Sequence, residues 1–403
     1  GVLKSEVERA KAQIRSEMAF SRDGSYSIAS ALNESIAIGD WKFYTTYNEK
    51  ISSVKKEDIK NAANKYLKED QSTTGYFIPE SNGEESNHVG AKKVHQPLNY
   101  SSKETAETNV SARTTTGIKK SNKKASIAKQ IVTSKPLPGI ELKTLKTSVE
   151  DVVTITGSML GGDEFSPVRN KSIAELTAEM LGEGTTTQNK FEISERLESV
   201  GASLNFSSDN YRVRFNARCM KKDVPLVVEL LGEQLRTPAF NETDLENLQK
   251  RLIGGLKRSK QNTRTRASGE FKRTLYPKKH PNYSSEIDDI IADVKKVSRK
   301  NLKLFHETNY GLGNVRIVVV GDVDNNAISK ALKHAFKDWK KSKLFIPDPT
   351  LSANNAGPKT HYVTVKDKTS VDMFMGVPIG IDNTHEDFYS LMVANYILGG
   401  NFA

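Results

Sequence analysis

Over the first 80 positions, apolar residues recur at helical spacing. Val7, Ala10, Ile14 and Met18 share one side of such a pattern, with charged residues between them, which predicts a helix. Ser27 to Ile38 predicts a second. Ile51, Val54, Ile59, Ala62, Ala63, Tyr66 and Leu67 predict a third. TTGYFIPE then reads as a short strand stopped by Pro79, which has no N–H to give to a ladder. The stretch reads as the close of an α+β unit that lacks its beginning, just as YILGGNFA at the far end reads as a helix breaking off at a glycine turn.

Between 135 and 343 the pattern alternates between two periods. LPGIELKTLKT and DVVTITGSML predict strands, the second with Val153, Ile155, Gly157 and Met159 on one face. Asn170 to Gly182 predicts a helix carrying Ile173, Leu176, Met180 and Leu181 on one side. Phe191 to Val200 predicts another, closed by Gly201. ASLNFSSD and YRVRFNARC predict a hairpin pair. An apolar helix from Val224 to Arg236 follows, then a long basic helix from Glu242 to about Ser259. More helix is expected over Ser285 to Phe305. NVRIVVVGDV is the clearest strand pattern, and Asn325 to Trp339 predicts a final helix of this unit. Beyond 357, HYVTVKDK and VDMFMGVPI predict two strands, and His385 to Leu398 a helix.

Two stretches lack any apolar period. In 81–134 Tyr100 is the only aromatic, and Asn, Ser, Thr, Lys and Glu dominate. Such a chain cannot bury enough surface to offset its ordering entropy, so it predicts a linker. LFIPDPTLSANNAG, 344–357, predicts a second. The expected organisation is therefore a partial domain at 1–80, a linker at 81–134, a complete domain at 135–343, a linker at 344–357 and the start of a further domain at 358–403.

An internal repeat supports this division. Val54-Lys55-Lys56 and Val294-Lys295-Lys296 lie 240 positions apart. Each triplet precedes a helical pattern, a polar turn and an apolar strand pattern, and the helices near Glu6 and Glu246 keep a similar offset. Residues 1–80 thus read as the end of a unit whose full copy is 135–343. A repeat this long implies tandem large domains.

Composition narrows the chemistry. Apolar residues are 36% and aromatics 7% of 403 residues, lean for a chain that is core throughout. No apolar run is long enough to span a membrane. The one cysteine, Cys219, excludes a disulfide framework and a thiolate zinc site. It sits in a strand pattern and reads as a structural thiol. Histidines stand at 88, 95, 280, 306, 334, 361 and 385 with no zincin pairing, since Tyr389 occupies the place His385 would need filled. Gly311 and Gly313 precede a strand rather than follow it, so they read as a turn and not as a dinucleotide fingerprint. There is no nucleophile elbow and no phosphate-binding loop. Net charge is +11, and the run from Lys250 to Arg266 has no acid. It reads first as a solvated basic helix face, and more sharply as a wall meeting an anionic peptide. Nucleic acid ranks below the peptide because no aromatic follows until Phe271 to stack on bases.

The ordered segments resemble the insulinase/pitrilysin family of zinc metallopeptidases. The likeness runs through strand, Gly-ending strand, helix, Gly-Thr turn, helix, SVGASLNF and YRVRF. SEVERAKAQIRSEMAFSRDGSYSIASALNESIAIGDW, GYFIPE and YILGGNFA fit it too. The resemblance covers nearly all of the chain outside 81–134. It implies an α+β fold of tandem domains, each a sheet with helices packed on one face. The family's catalytic motif is His-x-x-Glu-His, with two His on zinc and the Glu activating water. AELTAEMLGEGT holds the corresponding place here. Glu175 stands for the first His, Ala178 for the general base and Glu179 for the second His, while the third ligand falls near Gly254-Gly255. The resemblance therefore implies a non-catalytic portion with no metal in this chain, and zinc in an N-terminal catalytic half of the parent polypeptide.

On this view 1–80 ends domain two, 135–343 is domain three and 358–403 begins domain four. The chain would help form a chamber for peptide substrates, with Lys257 and Arg258 as chamber-facing candidates. Tandem-domain bacterial members imply a periplasmic or cell-envelope location. The alternatives are a structural or binding subunit with no peptidase activity, and, from the charge alone, an anion or nucleic-acid binder.

Overall fold

The computed structural model of the 403-residue chain describes residues 2–22, 24–76, 126–149, 151–167, 170–345, 353, 357, 359–369 and 371–399. Its contacts divide into two units, Gly1–Ser53 with Gln130–Ala403, and Val54–Lys129.

In the first unit, α1 (Lys4–Ser21), α2 (Ser25–Ala37) and α3 (Lys42–Ser53) come first. The second unit holds α4 (Lys56–Tyr66), where the Asp58 carboxylate reaches back to accept the Lys55 N–H at 2.8 Å. The third expected helix is thus two helices, α3 and α4, parted at Val54-Lys55. Thr73–Tyr76 is irregular rather than strand; the remainder of that expected strand and most of the 81–134 linker lie outside the described residues. The linker's end is structured, with α5 (Ile127–Gln130) and β1 (Val132–Ser134).

β2 (Ile140–Lys146), β3 (Val152–Leu160), β4 (Ser203–Ser208), β5 (Arg212–Met220) and β6 (Val315–Gly321) complete a mixed six-stranded sheet ordered β1-β2-β6-β3-β5-β4. Only β2 and β6 run parallel. The period-2 pattern sets its faces. Ile140, Leu142, Val153, Ile155, Val213, Phe215, Ile317 and Val319 point into the core. The other face is polar, carrying Thr154, Thr156, Ser158, Arg214, Asn216, Arg218 and Arg316.

Helices cover the apolar face. This layer comprises α6 (Ser172–Met180), α7 (Lys190–Glu198), α8 (Val224–Arg236), α9 (Glu242–Ser259), α11 (Ile287–Lys296), α12 (Arg299–Asn309) and α13 (Asn325–Ala335), while α10 (Thr263–Leu275), after α9, buries none of its residues. Their starts follow the capping rule. Asn189, Asn241, Ser298 and Asp324 each accept hydrogen bonds from first-turn backbone N–H groups. α8 packs on α13 and β5, and α6 lies among α9, α11, α12 and β4. Where α8 crosses α13, Gly232 has no room for a Cβ, which would stand 2.8 Å from that of Ala335.

Four helices repeat in order. α1, α2, α3 and α4 open at Lys4, Ser25, Lys42 and Lys56, and α9, α10, α11 and α12 at Glu242, Thr263, Ile287 and Arg299. The spacing seen in the two VKK triplets thus extends over four consecutive elements, including α10, which the sequence pattern did not separate from the basic run.

The two strands expected beyond 357 do not form among the described residues. Instead this segment lies along α10. Thr263 Oγ1 donates to Asp372 at 2.6 Å, His361 Nδ1 lies 3.4 Å from Glu270, and the Phe271 and Phe374 rings are 6.2 Å apart. A strand needs a neighbour to take its backbone hydrogen bonds, and no described strand adjoins it. α14 (Phe388–Gly399) follows as expected.

Candidate functional site

The motif-like segment AELTAEM lies on α6. Asn170 holds the entry to the helix, its Oδ1 accepting the Ser172 N–H at 3.1 Å and its Nδ2 donating to the Asp293 carbonyl at 3.0 Å. Ile173, Leu176 and Met180 turn into the core, as their spacing requires. Glu175 and Glu179, one turn apart, share the opposite side. Ala178 falls with the core residues and is 0% exposed.

Glu179 meets a cation from α9. Arg251 Nη2 stands 3.8 Å from its carboxylate and 3.6 Å from that of Glu183. Glu183 also receives Lys190 Nζ at 3.1 Å, and Lys190 reaches Asp244 at 2.6 Å. The ends of α6, α7 and α9 are thus joined by a chain of alternating charges. Arg251 is 63% exposed, so its pairs contribute roughly 0–1 kcal/mol. The hydrogen bonds to Asp244 and Glu183 hold the Lys190 ammonium above its ordinary range. Burial raises the Glu179 carboxyl; Arg251 opposes this and Glu183 adds to it. Glu175 is raised by surrounding protein and then by Glu179, although its side chain keeps contact with water, which screens the effect.

Asp163 lies beside this group, in the turn between β3 and α6. The turn is pinned to the β4–β5 connection, with the Asp163 N–H donating to the Asp209 carbonyl at 3.1 Å and that of Glu164 to Asn210 at 2.8 Å. Its Oδ1 is buried without a hydrogen-bond partner among the described residues. Burial pushes its pKa to about 7; Lys171 opposes the shift, and Glu175, Glu164 and Asp209 add to it. The folded chain keeps this proton up to about pH 7, whereas the unfolded chain releases it near the ordinary carboxylate value. Stability from this group is therefore complete below that ordinary value and is lost as pH rises through 7. Asp163→Asn should gain on the native protein by roughly 3–4 kcal/mol between pH 4 and pH 8. Denaturant melts of both proteins at the two pH values measure this, and equal pH dependence would contradict it.

The residues at this place do not fit zinc. A family-type site needs converging imidazoles and an acid from a second helix. Here the donors are carboxylates, one of them beside a guanidinium, Ala178 brings no donor, and Gly254 and Gly255 bring no side chain. Among the described residues no three of His, Cys, Asp or Glu form a group able to hold a metal.

Lys257 and Arg258 occupy the last turn of α9. Both are exposed, and neither forms an ion pair with a described residue. Their placement suits the negative end of the helix dipole. They lie apart from the α6 group, to which α9 contributes Asp244 and Arg251 instead. Arg251 belongs to the basic run, but its role depends on which side of α9 faces α6, and the run alone does not show that.

Other chemically suggestive residues are structural. Cys219 is buried on β5, and burial, with the Asp223 carboxylate adding, pushes its thiol up to about 12; a thiol held protonated is a poor nucleophile. His306 is buried, with Nε2 2.8 Å from the Leu235 carbonyl, and burial lowers its pKa. Gly311 and Gly313 form the turn before β6, packed against Lys340 and Ser342.

Residues 145–282 match the model described as Insulinase (Peptidase family M16), and residues 296–403 the one described as Peptidase M16 inactive domain. "Non-peptidase homolog YmxG" of Helicobacter pylori is 22% identical over 60% of this chain and 55% of its own. The mitochondrial-processing peptidase subunit beta of Caenorhabditis elegans is 22% identical over 68% of this chain and 58% of its own. The chain spans about half the length of the curated relatives it matches. A crystal structure of a peptidase M16 inactive domain from Pseudomonas fluorescens shares the fold, with TM-score 0.55 and 20% identity over 68% of this chain and 65% of that one. No helix among the described residues is long and apolar enough to cross a membrane. With an M16 sheet and helix layer, M16 matches over two successive segments and carboxylates at the motif, the chain belongs to the insulinase (M16) family of peptidases and carries a non-catalytic portion of that fold.

Proposed function

We propose that this chain is a non-catalytic part of a zinc-dependent M16 metallopeptidase and helps form its substrate chamber. The observation that carries the reading is the packed Ala178 at the general-base position, with Glu179 facing Arg251 one residue on. Water activation by a metal-bound mechanism needs an open position and a base, and this helix supplies neither. On this reading residues 1–80 close domain two, 135–343 are domain three and 358–403 open domain four. The partners are an N-terminal catalytic half holding zinc and the peptides it hydrolyses. The parent works in the bacterial periplasm or cell envelope, and finding it only in cytosolic fractions would remove that part of the proposal.

Zinc content and peptide cleavage test the central claim. The 403-residue chain should hold far less than one zinc per molecule and show no chelator-sensitive hydrolysis. Stoichiometric zinc with such hydrolysis would overturn the reading.

Lys257 and Arg258 add a statement about substrate. If their exposed cations face the chamber, the parent prefers acidic peptides. Reversing both charges should then lower kcat/KM for acidic peptides by about 3- to 10-fold at low salt and raise it for basic ones. Unchanged selectivity would remove them from the chamber wall.

A second reading is favoured by one relative, the non-peptidase homologue. The parent is then a structural or binding subunit throughout. The presence of His-x-x-Glu-His in the parent's N-terminal half separates the two.

A further inference from the structure

A crevice of about 590 Å³ opens between α1 and the β4–β5 end of the sheet. Its floor is a close backbone contact. Ser16 Oγ donates to the Gly201 carbonyl at 2.5 Å, and a Cβ on Gly201 would lie 2.6 Å from the Ala12 carbonyl oxygen. α1 therefore sits directly on the turn that leads into β4, and Arg9 reaches Glu198 at 3.8 Å beside it. Gln13, Glu17 and Phe20 line one wall, Ser203 and Arg218 the other.

Arg218 is the unusual member. It lies opposite Ser203 across the β4–β5 ladder. Its guanidinium stands 5.7 Å from the centre of the Phe20 ring, which orients the cation and strips part of its water. It has no carboxylate partner among the described residues, in contrast with Arg214 on the same strand face, which pairs with Asp209 at 2.6 Å. The Ser203 hydroxyl and the Gln13 amide likewise carry no side-chain hydrogen bond among the described residues. Across the crevice, α1 presents the exposed Glu17 carboxylate. That gives a planar cation and an uncommitted hydroxyl on the sheet wall, and an anion, an uncommitted amide and an aromatic ring on the α1 wall. The volume falls in the range of small-ligand sites, roughly 300–1,000 Å³.

We propose that this crevice binds a small zwitterion of the short-peptide class, its carboxylate on Arg218 and Ser203 and its ammonium at Glu17. A planar guanidinium grips a carboxylate through two parallel N–H bonds, which gives direction as well as affinity. A purely anionic ligand would meet Glu17 unfavourably, and a purely cationic one Arg218. The inference does not rest on the chamber reading, since a parent with no peptidase activity would carry the same crevice.

Isothermal titration of the full 403-residue chain tests it with trialanine, trialanine amide and N-acetyl-trialanine. Trialanine should bind, the amide about tenfold more weakly and the acetyl form more weakly as well. Arg218→Ala should weaken trialanine about tenfold, a loss of one charge-assisted contact pair, and should abolish the preference over the amide. Glu17→Gln should abolish the preference over the acetyl form while keeping that over the amide. Both side chains are exposed, so the variants should fold, and circular dichroism checks this. Absence of trialanine binding at millimolar concentration, equal binding of the amide, or an Arg218→Ala variant that binds as the parent chain does would each overturn the proposal.

Discussion

Ala178→Glu should cost at least about 3 kcal/mol of unfolding free energy, although it places a general-base residue where the family motif has one. Ala178 is 0% exposed and lies with Ala174, Leu181 and Leu176, all equally closed. A glutamate there would push a longer side chain into filled space and leave a carboxylate without a partner. Overpacking and burial of an unpaired acid act in the same direction. Glu175→Gln, on the open side of the same helix, should stay within about 0.5 kcal/mol. Denaturant unfolding of the two variants measures the contrast. A cost below about 1 kcal/mol for Ala178→Glu would show that the helix still faces an open cleft, and would weaken the non-catalytic reading. As it stands, the lost chemistry is not one substitution away, because the space for the base has been filled.

Gly157→Ala should be comparably damaging, at about 3 kcal/mol or more. Gly157 sits mid-strand on β3, paired with Phe215 on one side and Ile317 on the other. A Cβ there would overlap Phe215 Cζ and stand 2.8 Å from the Arg316 carbonyl oxygen. The ring could turn only by opening the core, where Phe215 is 1% exposed, and the carbonyl belongs to the β6 backbone. Trimming the ring relieves one clash, so Phe215→Leu in the Gly157→Ala background should recover part of the loss. Gly255→Ala provides the opposite case. No atom lies within 4 Å of its added Cβ, and replacing a mid-helix glycine by alanine stabilises by about 1 kcal/mol. Thermal melts of the three variants check the order. Equal stability of Gly157→Ala and the parent chain would mean that β3 and β5 do not approach as described.

Much of the fold was legible because it depends on local period. α8 and α9 begin and end where the apolar and basic patterns place them. β3 shows the inward set Val153, Ile155, Gly157 and Met159 that strict alternation implies. The errors arose where local pattern does not decide. α3 and α4 share one apolar period across Val54-Lys55, but Lys55 starts a new cap. α10 was hidden because its charged residues and glycine show no apolar stripe, and the described residues include none of it as buried core. Tyr362, Val371 and Met375 fall in stretches that alternate as strands would, yet they are 90% exposed or more and belong to no sheet. Alternation permits a strand, while a neighbouring backbone makes one.

The candidate site divides in the same way. Glu175, Ala178 and Glu179 were found by position in a motif, and their spacing alone put both acids on one side of α6. The sequence could not show that Ala178 is sealed, that Arg251 comes from α9 to Glu179, or that Asp163 lies close enough to Glu175 for their charges to interact. Nor could it pair Arg218 with Phe20, which are far apart in the chain. The sequence by itself determined the family, the α+β layering, the long repeat and the absence of imidazoles at the motif, because these rest on residue identity and period. Tertiary structure decided which charges meet, which small residues close a space and which arginine is left without a carboxylate partner among the described residues, because burial and charge pairing depend on chain segments that only folding brings together.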